Sequence, residues 1–272
     1  MQLVCYFLYV KGYRHIALLR RLPTRRERLL GERGTRESCG KSTTTSTHPQ
    51  DGKMALVFGV ASTKGGSGKT TLTINLARAI QQEGRQVQII DTDPQRTASR
   101  WENRQPDGYE LPVCHVEDAP TAVSLQSRIM LLQEESEVTV VDGSPKNDGS
   151  TAALIRASHA VIIPVQPTPA DTWAARPVIE MVRRTNTPAA FVISRQISGT
   201  NLADAVSDSL SEHDIPVFEN RASQRVAFAE TMVDGITVMD RSSAAKARKE
   251  VRGIATELID LVKRQLDAEV QP

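Results

Sequence analysis

From residue 54 onward, short apolar runs rich in Val, Ile and Ala alternate with longer segments whose apolar positions recur three and four residues apart. The short runs predict strands buried on both faces, and the longer segments predict amphipathic helices. Strands are expected at 55–61, 87–90, 111–116, 138–141, 160–165, 189–193 and 216–218, and helices at 70–83, 122–135, 172–184, 202–213, 224–234 and 244–266. This alternation specifies an α/β fold, a mostly parallel central sheet with helices on both faces. With no internal repeat or linker, residues 54–272 read as a single domain.

Residues 1–53 break the pattern. They show no sustained period of 2 or 3.6, and they hold Arg20, Arg21, Arg25 and Arg26 before a Ser/Thr run at 42–47, so they read as a disordered basic extension. Because the strand-helix alternation starts at Met54, translation is expected to begin there. A basic DNA-binding arm is the functional alternative; a winged or helix-turn-helix domain would need clearer helical stripes.

Charge divides at the same point. Residues 1–53 hold 11 Lys/Arg against 4 Asp/Glu, whereas the remainder holds 23 against 28. Any affinity of the body for nucleic acid must therefore come from a local patch, because its overall charge repels phosphates. No apolar run approaches the roughly 20 residues that span a bilayer. The final helix carries Val251, Ile254, Ala255, Leu258, Ile259, Val262 and Leu266 on one face, a core pattern without the basic excess of a membrane anchor. Cys5, Cys39 and Cys114 show no metal spacing and fit a reducing cytoplasm.

The candidate chemistry begins where the first body strand meets Ser62-Thr63-Lys64-Gly65-Gly66-Ser67-Gly68-Lys69-Thr70-Thr71, followed by an amphipathic helix. Strand, glycine-rich loop and helix in that order form a phosphate-binding loop. The glycines let backbone N–H groups of 65–71 turn inward around phosphate oxygens, and the helix directs its positive end at them. Lys69 is placed to neutralise the β- and γ-phosphates of ATP and the Thr70 hydroxyl to ligate Mg²⁺. Thr63 stands where the general G-x-x-x-x-G-K-[ST] pattern has its first glycine.

Two more segments follow in the order such a site requires. Asp91-Thr92-Asp93-Pro94-Gln95 puts two carboxylates at the carboxyl end of a strand, suited to holding a Mg²⁺-bound water and orienting an attacking one. Capping of the next helix is the competing reading for either acid. The run 138–141 leads into Asp142, placed to hold Mg²⁺ through water. After the run 160–165, Gln166-Pro167-Thr168-Pro169-Ala170-Asp171 forms a stiff exit into a helix capped at Asp171.

Lys64-Gly65-Gly66-Ser67-Gly68-Lys69-Thr70 resembles the deviant phosphate-binding loop of the ParA/MinD group, in which a second lysine precedes the glycines. The resemblance extends through D-x-D-P-Q and Asp142 and covers nearly all of residues 54–266. It implies that Lys64 reaches a partner subunit's nucleotide in an ATP-dependent homodimer, and that Asp93 positions the hydrolytic water while Asp91 supports Lys69 and the metal. Pro167 would lie near the nucleotide and the dimer face, and Arg195 would contact the adenine. The chain departs from the group's usual Pro-Pro after the third acid, having Gly143-Ser144-Pro145.

The function so implied is a short ParA-type DNA-partition ATPase with slow intrinsic hydrolysis. It would be cytoplasmic, associate with the nucleoid when ATP-bound, bind DNA nonspecifically and respond to a centromere-binding partner resembling ParB or ParG. Arg221, Arg225, Lys246 and Arg248 are the candidate DNA contacts, against the plainer reading of solvated helix faces. A MinD-like ATPase, or one positioning a complex at a membrane or pole, would share the nucleotide motifs. An iron-sulfur reductase would need bridging cysteines that Cys114 alone does not supply, and the basic arm leaves open a transcriptional repressor.

Overall fold

The computed structural model describes residues 6–10, 13–17, 56–116, 122–132, 136–145, 149–197 and 201–270. The chain divides into two units, residues 1–54 with 269–272, and residues 55–268. The first contains an antiparallel hairpin, β1 (Tyr6–Val10) against β2 (Tyr13–Ala17), with Val10 opposite Tyr13. No element is expected there from the sequence; the rest of that basic extension lies outside the described residues, as do positions 133–135 of the 122–135 helix.

The second unit is a seven-stranded, wholly parallel sheet in the order β5-β4-β6-β3-β7-β8-β9, with β3 at its centre. Its strands are β3 (Leu56–Val60), β4 (Val87–Asp91), β5 (Val113–His115), β6 (Val138–Asp142), β7 (Ala160–Val165), β8 (Ala189–Gln196) and β9 (Ala222–Ser223). Every residue of β4, β6 and β7 is buried, as Val/Ile runs that meet helices on both faces require. Each buried Val or Ile in these strands contributes about 1.5–3 kcal/mol.

Eight helices surround it among the described residues: α1 (Lys69–Gln82), α2 (Thr97–Glu102), α3 (Ala122–Leu132), α4 (Gly149–Ala157), α5 (Pro169–Thr185), α6 (Leu202–Ser211), α7 (Val226–Val233) and α8 (Ala245–Val270). Helix α8 buries Val251, Ile254, Ala255, Leu258, Val262 and Leu266, the face expected from its spacing, with Ile259 partly exposed. No described helix is long and apolar enough to cross a membrane.

Three expectations change. Helix α5 starts at Pro169, not at 172, and its cap is Thr168, whose Oγ1 accepts the Asp171 N–H at 3.2 Å; proline at the first helical position needs no N–H partner, so the helix begins about one turn earlier. The segment 216–218 makes only a bridge from Val217 to Phe191, and Ala222–Ser223 forms the edge strand instead. Helices α2 and α4 are too short, or too rich in small residues, to show a period in the sequence.

Register brings the phosphate loop and the two acidic motifs level. Asp142 pairs with Val60 on β3 and with Asp91 on β4, so the loops leaving three adjacent strands open on one carboxyl-terminal edge, where parallel sheets bind ligands.

Candidate functional site

The loop from β3 into α1 has Gly66 at φ 78° and Gly68 at φ 91°, a left-handed geometry that costs an L side chain roughly 1–2 kcal/mol per residue. A Cβ on Gly65 or Gly66 would meet nothing within 4 Å. Crowding therefore does not demand glycine there, and the space over the loop is open to a ligand. No side chain caps α1, so its first N–H groups face that space with the positive end of the helix dipole. Ser67 Oγ is buried with no hydrogen-bond partner among the described residues, at a cost of about 1–3 kcal/mol that an acceptor would relieve. The loop thus fits a polyphosphate.

Lys69 is buried and donates from Nζ to the Lys64 carbonyl at 3.0 Å. Burial lowers its pKa, while Asp142 and Asp93 pull it back up. Asp142, fully buried, accepts from Thr70 Oγ1 at 2.7 Å and from Thr73 Oγ1 at 3.2 Å. Burial pushes its carboxyl up to about 7, against the lowering effect of the Thr70 hydrogen bond. Each charge is thus disfavoured by desolvation; a triphosphate beside Lys69 and Mg²⁺ beside Asp142 and Thr70 would supply the missing counter-charges.

The other two acids differ in role. Asp91 gives one oxygen to the Asp93 N–H at 3.0 Å and the other to the Ser99 N–H and hydroxyl, both at 3.0 Å. It makes no hydrogen bond to Lys69 or Thr70, contrary to its expected support of Lys69; it shapes the loop and ties it to α2. Asp93 Oδ1 accepts the Gln95 N–H at 3.0 Å, and its charge acts on Lys69, so it is a turn-former that also acts electrostatically on the loop lysine. Gly143 follows Asp142 because a Cβ there would stand 2.6 Å from the Val60 carbonyl; the departure from Pro-Pro lets β6 press against the exit of β3.

On the other flank, β7 and β8 lead to Gln166 and Arg195. Gln166 Nε2 and Arg195 Nη1 both donate to the Gly66 carbonyl, at 2.7 and 3.1 Å, and Ser194 Oγ donates to the Ser67 carbonyl at 2.8 Å. These bonds hold the loop's carbonyls, leaving its N–H groups for a ligand. Arg195 itself sits at φ 53°, a strained backbone conformation for a non-glycine residue. Pro167 is buried beside them. Lys64 does not face the loop's interior: its Nζ bonds Asp171 on α5 of its own chain.

Sequence reasoning gives no role to Ser99 or Gln166 and reads Asp171 only as a helix cap, since nothing local marks a polar residue whose partner lies up to 107 positions away. The candidate DNA contacts lie elsewhere. Arg221 pairs with Asp204 at 2.6 Å, and Arg225 with Glu250, which raises its pKa. Lys246 is exposed on the first turn of α8. Arg248, Lys249 and Arg252 line an open cleft of about 380 Å³ beside Asn220 and Gly253.

Comparison with known proteins agrees with this geometry. Residues 58–238 match the CobQ/CobB/MinD/ParA nucleotide binding domain. The chain is 29% identical over 215 residues to the "Maintenance of carboxysome distribution protein A" of Halothiobacillus neapolitanus, covering 75% of this chain and 97% of that relative. It is 23% identical over 180 residues to the protein ParA of Rhizobium radiobacter, covering 62% and 79%. Among solved structures, an ATP complex of a Cyanothece McdA variant superposes with a TM-score of 0.66 at 17% identity over 77% of this chain and 98% of that one, a likeness of fold.

Proposed function

This chain belongs to the CobQ/CobB/MinD/ParA nucleotide-binding family, and from that premise we propose that it is an ATP-driven partition ATPase whose nucleotide-bound dimer rides on nonspecific DNA. The observation that carries the reading is the loop 62–70: open glycines, an unsatisfied buried Ser67 hydroxyl, and Lys69, Thr70 and Asp142 gathered at one point. Backbone N–H groups and Lys69 hold the β- and γ-phosphates. Thr70 and Asp142 hold Mg²⁺, which supplies charge neutralisation at the phosphates when bound. Asp93, fixed by its own turn, orients water toward the γ-phosphate. Lys64 completes the site of a second copy, so assembly depends on ATP. Gln166, Pro167 and Arg195 border the nucleotide from the β7 and β8 side.

DNA is held by the positive surface at the start of α8, formed by Lys246, Arg248, Lys249 and Arg252. Arg221 and Arg225, already in ion pairs, brace the adjoining edge strand. Contacts of this kind grip phosphates without reading bases. A partner protein resembling ParB or ParG stimulates hydrolysis and releases the dimer. The cargo of the first reading is a plasmid or chromosome. The second reading, a protein compartment as cargo, is favoured by one observation: the match to the carboxysome-distribution relative spans almost its whole length.

The test is the steady-state ATPase rate with Mg²⁺, with and without random-sequence DNA, alongside Lys69→Ala. We expect slow turnover that rises with DNA and the partner protein, and loss of at least about tenfold in Lys69→Ala. A rate indifferent to Lys69 would overturn the proposed function.

A further inference from the structure

Lys64 has a seat of its own in the free chain. Its Nζ bonds Asp171 Oδ2; the lysine side chain is 37% exposed, the aspartate's only 2%. The same oxygen accepts the Thr168 hydroxyl, while Asp171 Oδ1 is buried with no hydrogen-bond partner among the described residues. A second clasp lies alongside, from Thr63 Oγ1 to the Ala174 carbonyl at 2.6 Å. The start of the phosphate loop is therefore buttoned to the first turns of α5. Meanwhile the Lys64 carbonyl takes Lys69, so the backbone of Lys64 borders the phosphate space while its side chain is turned away.

We infer that Asp171 is a positioning residue that seats Lys64 in its own subunit, and that exchange of Lys64 from Asp171 to the nucleotide of a second copy sets the concentration at which ATP assembles the protein. The inference rests on the reading of Lys64 as a lysine that acts across the dimer. Its physical basis is that a buried carboxylate already short of one partner is destabilised further when its cation leaves. Departure of Lys64 leaves the Asp171 carboxylate leaning on the Thr168 hydroxyl. A single copy binding ATP therefore gains nothing from releasing the lysine. Only the phosphates of a facing copy offer a stronger anion, so the pair works as a threshold that discourages assembly at low occupancy.

The same helix carries the means of observing it. Trp173 is 74% exposed two residues beyond Asp171, whereas Trp101, the other tryptophan, is 1% exposed. Fluorescence that changes on assembly therefore reports from beside the seat.

The experiment is sedimentation velocity of the full chain across a concentration series with Mg²⁺ and a slowly hydrolysed ATP analogue, for wild type, Asp171→Asn, Lys64→Ala and the double variant. Asp171→Asn keeps a hydrogen-bonding side chain in the first turn; if it folds poorly by thermal melt, Asp171→Ser replaces it. Asp171→Asn is expected to assemble at about tenfold lower concentration, in the range of a partly screened ion pair, with unchanged analogue affinity of the monomer. Lys64→Ala, which leaves the facing copy's site incomplete, is expected to stay monomeric with either residue at 171, so in that background the thermal melt is the readout. A merely structural role for Asp171 would lower the melting temperature equally in both backgrounds, whereas loss of the ion pair lowers it only where Lys64 is present. A wild type that stays monomeric with nucleotide sinks the reading of Lys64 itself and this inference with it. A wild type that assembles, with Asp171→Asn assembling no more readily, sinks the seat alone.

Discussion

Asp93 shows how one side chain serves fold and chemistry together. Its Oδ1 closes the turn on the Gln95 N–H, which fixes the carboxylate, and its charge is felt by Lys69. Asp91, two positions earlier, is occupied by Asp93 and Ser99. The two acids of the motif thus separate into one whose charge acts on Lys69 and one that holds the other in place. Asp93→Ala is expected to keep ATP-dependent assembly and to lose about 10²-fold or more in turnover, the scale of a lost water-orienting group. The pair of measurements is light scattering with ATP and phosphate release; unchanged release by Asp93→Ala would move the role to another residue.

Between elements, the join of β3 to β7 is extended by His159. Its backbone N–H donates to the Val57 carbonyl at 2.8 Å and its Nδ1 accepts the Val57 N–H at 3.0 Å. Burial holds its pKa below the ordinary value. The unfolded chain takes up a proton near pH 6.5 and the folded chain only at lower pH. The stabilising contribution is then full above about pH 6.5 and is lost as pH falls through the depressed folded value. The melting temperature should drop as pH falls from about 6.5 to about 5, and His159→Gln, which keeps an acceptor and does not titrate, should flatten that drop. Coincident slopes for the two proteins would assign the proton elsewhere. A different join is made by Asp240, which takes Arg78 of α1 at 2.8 Å, Tyr109 at 2.6 Å and Thr237 at 2.6 Å. Burial raises the Asp240 pKa, but those hydrogen bonds outweigh it and hold the group below its ordinary range.

At the scale of the whole molecule, the body is acidic, with 23 Lys/Arg against 28 Asp/Glu from residue 54 onward, yet its cations are unevenly used. Arg78, Arg221, Arg225 and Arg241 are committed to carboxylates, whereas Arg248, Lys249 and Arg252 line the α8 cleft. Replacing those three with Ala is expected to weaken ATP-dependent DNA binding at least about tenfold. It should also lower the slope of log affinity against log salt by about 0.9 for each phosphate contact removed. Arg221→Ala with Arg225→Ala is expected to lower the melting temperature and leave that slope alone. Fluorescence anisotropy with random-sequence DNA at several salt concentrations separates the two, and a slope that responds only to the second pair would relocate the surface.

How much of this was legible depended on the distance over which each feature is encoded. The phosphate loop, the acids at 91, 93 and 142, the buried strands and the face of α8 are written in contiguous residues, because a strand needs a run, a helix needs a period and a phosphate cradle needs glycines beside a lysine. Helix α4 and the edge strand Ala222–Ser223 carry too little local pattern and form because their neighbours leave a place to fill. The commitment of Asp91 to Ser99, the seating of Lys64 on Asp171 and the division of arginines between carboxylate partners and the α8 cleft were decided only by tertiary structure. Each depends on which charge arrives next to which, and electrostatic partners separated by up to 162 residues leave no periodic trace in a chain.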